Sequence, residues 1–249
     1  MMNAVISICL FIGISQASAF PQFVRSSSEP KQNSLQACLQ CHGNKAAVPP
    51  ENAGTPRPPL IANQFSMDWQ MYELDPAKET PPVLALIPQN FISSGETHYD
   101  WSKRKMVEVY LDRCLNIFPS GNDFSCKFLS SYGKTYLIRS ELGNINKLKS
   151  CCLLSADPFW APRTDVLRNM GFQKTTGERN KTNWWILDTP LPGPFGYGTL
   201  ERSGDPVAFW FPVIDKWVQQ NFSNYSERQP PPAVFAFPRI CREAQVCEE

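Results

Sequence analysis

Phe195-Gly-Tyr-Gly-Thr-Leu-Glu-Arg-Ser-Gly-Asp-Pro-Val-Ala-Phe-Trp-Phe211 is the stretch that decides the class of fold. Two arms rich in aromatic and β-prone residues flank the polar turn Arg202-Ser-Gly-Asp205. An arrangement of this kind is typical of a β-hairpin, because the turn residues tolerate a tight reversal and the arms favour extended backbone. The stretch therefore predicts two antiparallel strands.

Strand patterns recur on both sides of this hairpin. Residues 104–111 alternate, so that Val107, Val109 and Leu111 share one face of a strand. Residues 134–139 and 182–187 are of the same kind, and residues 213–222 and 233–237 are further strand candidates. A helix is indicated only for residues 164–170, which have an N-cap candidate and a following Gly171. We expect a mainly β fold, built as an antiparallel curved sheet with one or two short helices.

The charge balance and the proline content exclude some classes of partner and of fold. The chain has 249 residues, with 24 Lys and Arg against 23 Asp and Glu, so its formal charge is +1. This balance argues against a nucleic acid or another polyanion as partner. The 23 prolines exclude long helical bundles, because proline ends helices. Hydrophobic residues make up 42% of the chain, enough for one sizeable core.

The first nineteen residues read as a secretory signal peptide. Residues 4–14 are apolar, and Ala17-Ser18-Ala19 is a small-x-small cleavage site. A stretch of this length falls short of the roughly 20 apolar residues that span a bilayer, so we expect no transmembrane anchor. Cleavage near Ala19 predicts a secreted, extracellular or lysosomal protein.

Cleavage also changes the number of cysteines from nine to eight, because it removes Cys9. An even number fits a disulfide framework in an oxidising compartment. Cys114 and Cys126 close a short loop and are expected to pair, and Cys241 or Cys247 is expected to join Cys151 or Cys152. The half-cystine candidates are Cys38, Cys41, Cys114, Cys126, Cys151, Cys152, Cys241 and Cys247. Glycosylation sequons begin at Asn180, Asn221 and Asn224.

Residues 20–60 are interpreted as an N-terminal extension that ends in a proline-rich linker, and residues 61–249 as the domain. The extension contains Cys38-Leu-Gln-Cys41-His42, which matches the attachment pattern of a c-type haem. The alternative is that Cys38 and Cys41 are half-cystines that tether the extension. No zinc-binding spacing and no catalytic elbow or phosphate loop is present in the sequence. With His42 and His98 as its only imidazoles, the chain is not expected to be an enzyme.

Two strands are apolar in both alternation phases. In Trp184-Trp-Ile-Leu187 and Val207-Ala-Phe-Trp-Phe211 neither face is suited to water. An antiparallel sheet usually keeps one polar face. These strands are therefore either covered on both sides by core, or covered on one side while the other side lines an apolar cavity.

Several motifs in this order resemble the ependymin-related family. They are Gly95-Glu-Thr-His-Tyr99-Asp100 followed by basic residues and a strand, Cys126-Lys127, Asn183-Trp-Trp, the hairpin around Ser203-Gly-Asp205-Pro206, and Phe237-Pro238-Arg-Ile-Cys241 with Cys247. The resemblance covers about residues 65–249. It implies a half-barrel similar to bacterial lipoprotein carriers, with a deep apolar pocket, in a secreted or lysosomal glycoprotein. It also implies a frequent homodimer, calcium binding and a role in cell adhesion.

The leading hypothesis is a protein that binds a lipid or another apolar small molecule without chemistry. Aromatic side chains are the candidates for the pocket lining: Trp69, Trp101, Tyr136, Trp184, Phe209, Trp210 and Trp217. One alternative is an electron-transfer protein that carries haem through Cys38, Cys41 and His42. Another is a structural adhesion protein without a ligand.

Overall fold

The computed structural model describes residues 54–74, 90–116, 121–131, 133–155, 163–187, 194–213 and 216–247. These residues form eleven strands in a single antiparallel sheet, in agreement with the expected mainly β fold. The strands are β1 Gln64–Leu74, β2 Phe91–Asp100, β3 Lys105–Tyr110, β4 Ser125–Ser131, β5 Lys134–Glu141, β6 Asn144–Ser155, β7 Gly171–Thr176, β8 Thr182–Leu187, β9 Phe195–Leu200, β10 Pro206–Val213 and β11 Lys216–Ser226.

The order of strands across the sheet is β6-β5-β4-β3-β2-β1-β11-β10-β9-β8-β7. Sequence neighbours therefore pair, except β6 and β7, which form the two edges of the sheet, and the first strand, β1, pairs with the last, β11. The predicted hairpin is confirmed as β9 and β10, in which Phe209 lies opposite Tyr197. The alternating segments at residues 104–111, 134–139 and 182–187 are β3, β5 and β8.

Two predictions of local structure need correction. Residues 233–237 do not form a strand, because Pro232–Phe235 is a 3₁₀ turn. The prolines that precede and open this turn have no N–H to give to a sheet. The helix expected at residues 164–170 is a short 3₁₀ turn, Val166–Asn169, and Gly171 starts β7 instead of capping a helix.

The sheet curls into an open half-barrel. If it were flat, strands about 4.8 Å apart would hold β5 and β8, which are eight intervals apart, roughly 38 Å from each other. Instead Leu137 of β5 and Trp185 of β8 belong to one core cluster, so the two halves face each other. The segment between β6 and β7 adds Val166, Leu167 and Met170 to the same cluster and so fills part of the concave face.

The convex face is also covered by apolar groups. Over β3 to β6, Val107, Val109 and Ile138 pack against Phe235 and Cys241 of the C-terminal segment. Over β8 to β11, Trp184, Ala208 and Trp210 form a second cluster, to which Trp217 is added. The strands that are apolar in both phases therefore have core on each side.

Three disulfides staple this sheet. Cys114 pairs with Cys126 as expected. Cys151 pairs with Cys241, and Cys152 pairs with Cys247, so the C-terminus is linked to β6 twice, where one such link was predicted. Among the described residues, no helix is long and apolar enough to cross a membrane. The signal segment, the Cys38–His42 motif and most of the extension lie outside the described residues.

Candidate functional site

A cavity of about 260 Å³ lies at one end of the concave face. The end of β1, the start of β2 and the junction of β10 with β11 meet there, together with the loop after β3. Its lining consists of Met71, Glu73, Asn90, Phe91, Ile92, Arg113, Leu115, Asn116, Asn122, Val213 and Val218.

The floor of the cavity is apolar and its rim is polar. Met71, Leu115 and Val218 on the floor are all buried and belong to the main core cluster. Phe91 at the rim is 52% exposed. The ion pair of Arg113 with Asp123, at 3.2 Å, adds charge to the rim. A molecule in this cavity would therefore bury its apolar part inward and keep polar groups toward water.

The loop that supplies Arg113, Leu115 and Asn116 is held firmly. Cys114 ties it to β4 through the disulfide with Cys126, whose Cα atoms are 5.3 Å apart. Asn122 Nδ2 donates to the carbonyl oxygen of Cys114 at 2.7 Å. At the start of the loop, the Asp112 carboxylate accepts hydrogen bonds from the backbone N–H and the hydroxyl of Ser94, at 3.0 and 2.7 Å. These bonds make this wall of the cavity preformed.

Aromatic rings continue from the cavity into the half-barrel. The indole of Trp69 lies over Gly95, where a Cβ would come within 2.3 Å of the ring. This close approach lets Trp69 meet Tyr110 edge-on at 4.7 Å, and Tyr110 meets Phe128 at 5.5 Å. Glycine at position 95 thus makes room for a continuous aromatic surface.

The opposite half of the concave face carries a second aromatic group. Phe209 stacks on Phe211 at 4.7 Å and on Phe195 at 6.3 Å. Tyr197 lies 6.2 Å from Phe209, and burial raises the pKa of its phenol far above the ordinary value. Both walls of the half-barrel are therefore lined by rings that bind apolar groups well.

A carboxyl group interrupts this apolar interior. Glu108 of β3 lies between Thr97 of β2 and Phe128 of β4 in the register of the sheet, so it shares their concave face. Burial raises the pKa of Glu108 to about 7. The pKa of its neighbour Tyr110 is raised mainly by burial and, to a smaller extent, by the negative charge of Glu108.

The aromatic residues predicted to line a pocket fall on both faces of the sheet. Trp69 and Phe209 lie on the concave face within the main core cluster. Trp184, Trp210 and Trp217 lie together on the convex face. Tyr136 meets Phe237 there at 4.9 Å, and Trp101 lies beyond the end of β2 with Arg104 over its ring at 5.1 Å.

Most residues that line the cavity are aliphatic or polar, and the sequence reasoning missed them because it considered aromatic residues only. Met71 belongs to the alternating apolar positions of β1, and Val218 is an apolar residue of β11. The alternation could have shown which residues share a face of each strand. Arg113 and Leu115 flank Cys114, so the expected Cys114–Cys126 loop could have pointed to them.

On the convex face, His98 takes part in a short hydrogen-bonded chain. Its Nδ1 lies 2.8 Å from Ser66 Oγ, and its Nε2 lies 3.1 Å from Glu96 Oε2. A serine, an imidazole and a carboxylate in this order can activate a nucleophile. Here, however, β1 and β2 each have a neighbouring strand on both sides, which engages their backbone N–H groups. In the part of the chain that the structure describes, the backbone N–H groups of these two strands are therefore engaged within the sheet.

The sequon asparagines occupy different environments. Asn180 is exposed between β7 and β8, and Asn224 is exposed with its Nδ2 donating to Asp68 at 2.6 Å. Asn221 lies within β11, where its side chain accepts a hydrogen bond from Gln219. No three His, Cys, Asp or Glu side chains gather into a metal site within the described ranges. The haem candidates Cys38, Cys41 and His42 lie outside those ranges.

No protein-family model and no curated protein matches this chain. Among solved structures, an uncharacterized conserved protein from Thermus thermophilus is similar, with 9% identity and a TM-score of 0.42, over 75% of this chain and 91% of that protein. A LolA superfamily protein from Nitrosomonas europaea is similar with 6% identity and a TM-score of 0.34, over 72% of this chain and 93% of that protein. Membership of the ependymin-related family stays a prediction.

Proposed function

We propose that this protein binds an apolar small molecule or a lipid on the concave face of its half-barrel and holds it without chemical change. The observation that carries the proposal is the cavity of about 260 Å³, because its apolar floor continues into the ring-lined interior. A carrier needs such a surface and needs no catalytic group.

The size of the cavity bears on the ligand. Ligand pockets commonly measure about 300–1,000 Å³, so this cavity holds a small molecule or one end of a longer molecule. Each methylene group that leaves water for such a floor contributes about 0.8 kcal/mol. A short alkyl chain therefore gains useful affinity without any charged contact.

The compartment that we propose is an oxidising one, reached by export. Three disulfides join six cysteines of the described residues, and such bonds persist in secreted proteins and are rare in the cytosol. In an extracellular or lysosomal fluid, such a carrier would keep apolar molecules in solution.

Displacement of a polarity-sensitive fluorescent fatty probe tests the proposal. We expect saturable binding by the delipidated wild-type protein and a loss of at least about tenfold in affinity for Ile92→Trp, because the added ring would occupy the cavity. Leu142→Trp is the matched control, since Leu142 is 51% exposed in the turn between β5 and β6. Absence of saturable binding by the wild type, or equal loss in both variants, would contradict the proposal.

A further inference from the structure

Three buried side chains on the concave face have a polar atom that lacks a partner. Trp69 Nε1, Thr97 Oγ1 and Gln220 Nε2 make no hydrogen bond in the part of the chain that the structure describes. All three residues are at most 3% exposed. Trp69 lies on β1, Thr97 on β2 and Gln220 on β11, and these two strands flank β1 in the sheet. Buried polar groups are normally paired, so each of these atoms needs an explanation.

Several comparable groups elsewhere in the sheet are paired. Trp185 Nε1 donates to Thr199 Oγ1 at 2.9 Å, and the hydroxyls of Ser130 and Thr135 are 2.9 Å apart. On the convex face, Trp210 Nε1 and Gln219 Oε1 of the described residues also lack a partner, but the concave group differs because Thr97 lies opposite the carboxyl-bearing Glu108. A group that is absent from the protein itself would satisfy these atoms.

Glu108 stands next to this group of atoms. It lies directly opposite Thr97 in the register of β2 and β3, which places the two Cβ atoms about 5 Å apart. Among the described residues, no side chain donates a hydrogen bond to its carboxyl group. Thr97, Phe128, Met106 and Tyr110 around it are all buried, yet part of Glu108 remains accessible. Its side chain is therefore the accessible one among these buried neighbours, on the concave side of the sheet.

The chemistry of these groups selects one kind of ligand atom. Glu108 offers an acceptor, whereas Trp69 offers a donor and Thr97 offers either. A hydroxyl group can donate to the carboxylate and accept from the indole or the threonine at the same time. An alkyl chain satisfies none of these groups, an ammonium cannot accept, and a second carboxylate would repel Glu108.

We infer that the interior of the half-barrel receives the hydroxyl group of an otherwise apolar ligand between Glu108, Thr97 and Trp69, so that the ligand is an aliphatic or polycyclic alcohol. This inference rests on the proposed function and specifies its ligand class. Met71 at the cavity and Met67, which lies opposite Thr97, are four residues apart on β1, or about 13 Å. The alcohol therefore lies with its hydroxyl inward and its apolar part directed toward the cavity.

Three probes of equal chain length test this inference: dodecanol, dodecane and dodecanoic acid. Each displaces the fluorescent fatty probe from the delipidated full-length protein. At pH 8, where most of Glu108 is ionised, we expect dodecanol to bind roughly tenfold more tightly than dodecane, the gain of one hydrogen bond to a charged group. Dodecanoic acid should bind less tightly than dodecanol at the same pH.

Two variants locate the preference. Thr97→Val and Glu108→Leu should bind dodecane as the wild type does and lose the preference for dodecanol. Neither variant removes a side-chain hydrogen bond that the described residues make, so both should fold, as urea unfolding would verify. The control Thr175→Val, on the exposed side of β7, removes the hydrogen bond from Thr175 Oγ1 to Asn183 Oδ1 far from Glu108 and should keep the preference.

The outcomes separate the two claims. If the wild type binds dodecanol and dodecane equally, or if both variants keep the preference, the hydroxyl site is wrong while the proposed apolar binding stands. If none of the three probes displaces the fluorescent probe and that probe itself does not bind, the proposed function fails and the hydroxyl site fails with it.

Discussion

Cys151 and Cys152 are neighbours on β6, yet they hold the C-terminal segment from opposite faces of the sheet. Cys151 pairs with Cys241 among the residues that cover the convex face, whereas Cys152 and Cys247 pack against the concave core. Because β6 is an edge strand, the segment between Cys241 and Cys247 passes around that edge. Backbone hydrogen bonds from Leu153 N to Gln245 O at 2.7 Å and from Cys247 N to Leu153 O at 3.0 Å occupy the edge. We call the segment from Cys241 to Cys247, with its two disulfides to β6, the clasp. The clasp protects an edge that could otherwise pair with another chain.

Paired removal of these cysteines tests the clasp. Cys152→Ser with Cys247→Ser opens a link between residues 95 apart and should lower the free energy of unfolding by about 3–5 kcal/mol in urea titrations. This variant should show no free thiol among the remaining cysteines of the described residues. The mixed variant Cys151→Ser with Cys247→Ser should instead show two by thiol titration, and the reverse result would mean that the pairing is exchanged.

Trp210 lies so close to Gly196 that no side chain fits between them. A Cβ on Gly196 would lie 1.7 Å from Trp210 Nε1. Gly196→Ala must therefore displace a buried indole, and we expect a loss of roughly 1–3 kcal/mol in the free energy of unfolding. Gly171→Ala is the control, because its Cβ would meet its nearest atom only at 3.9 Å, and it should change stability by less than about 0.5 kcal/mol. Equal losses would show that the close approach has no energetic consequence.

Asp100 should make the fold sensitive to acid. Burial raises the pKa of Asp100, but hydrogen bonds from Lys103, Ser102 and Gln64 outweigh it and lower the pKa to about 2. Since the unfolded value is 3.8, the stabilisation is complete above that pH and is lost as the pH falls toward 2. Asp100→Asn should cost about 2 kcal/mol at pH 7 and flatten the acid limb of stability measured by urea unfolding. Asp123→Asn, at a site 78% exposed, should do neither.

Glu108 should produce the opposite dependence on pH. Burial raises its pKa from 4.5 to about 7, so the folded state holds a proton that the unfolded state has lost between these values. Stability should therefore fall as the pH rises from about 4.5 to 7, by at most about 3 kcal/mol, and then level off. Tyr110 stays neutral in this window because its pKa is raised well above 10.0.

Glu108→Gln removes this titration. In this variant, the only change in the free energy of unfolding between pH 5 and 8 should come from other titratable groups. At pH 8 its free energy of unfolding should exceed that of the wild type. Urea unfolding at four pH values measures the difference between the two proteins. A difference that does not vary with pH would show that Glu108 is solvated in the folded protein.

The strands could be predicted because period-two alternation and turn residues are local properties. Residues 182–187 coincide with β8, and the Ser203-Gly-Asp205 turn joins β9 and β10. The short Cys114–Cys126 loop was predictable for the same reason. Prediction was wrong for residues 233–237, where β-prone side chains follow prolines that cannot enter a sheet.

The candidate site was less accessible to prediction from sequence. Neighbouring residues of a strand point to opposite faces, but alternation alone does not show which face is concave. Trp184 and Trp185 illustrate this, because both are fully buried while Trp184 lies on the convex side and Trp185 in the concave core. Cavity residues such as Met71, Leu115 and Val213 come from distant parts of the chain, and their proximity depends on the closure of β1 against β11.

The sequence by itself determined that this is a disulfide-stapled antiparallel β protein, because propensity, alternation and turn chemistry act over a few residues. Tertiary structure alone decided that the sheet curls, that Cys151 and Cys152 serve opposite faces, and that Glu108 lies among buried rings. These outcomes follow from the pairing of β1 with β11 and from the twist that accumulates over eleven strands. Both are long-range, so no short stretch of sequence contains them.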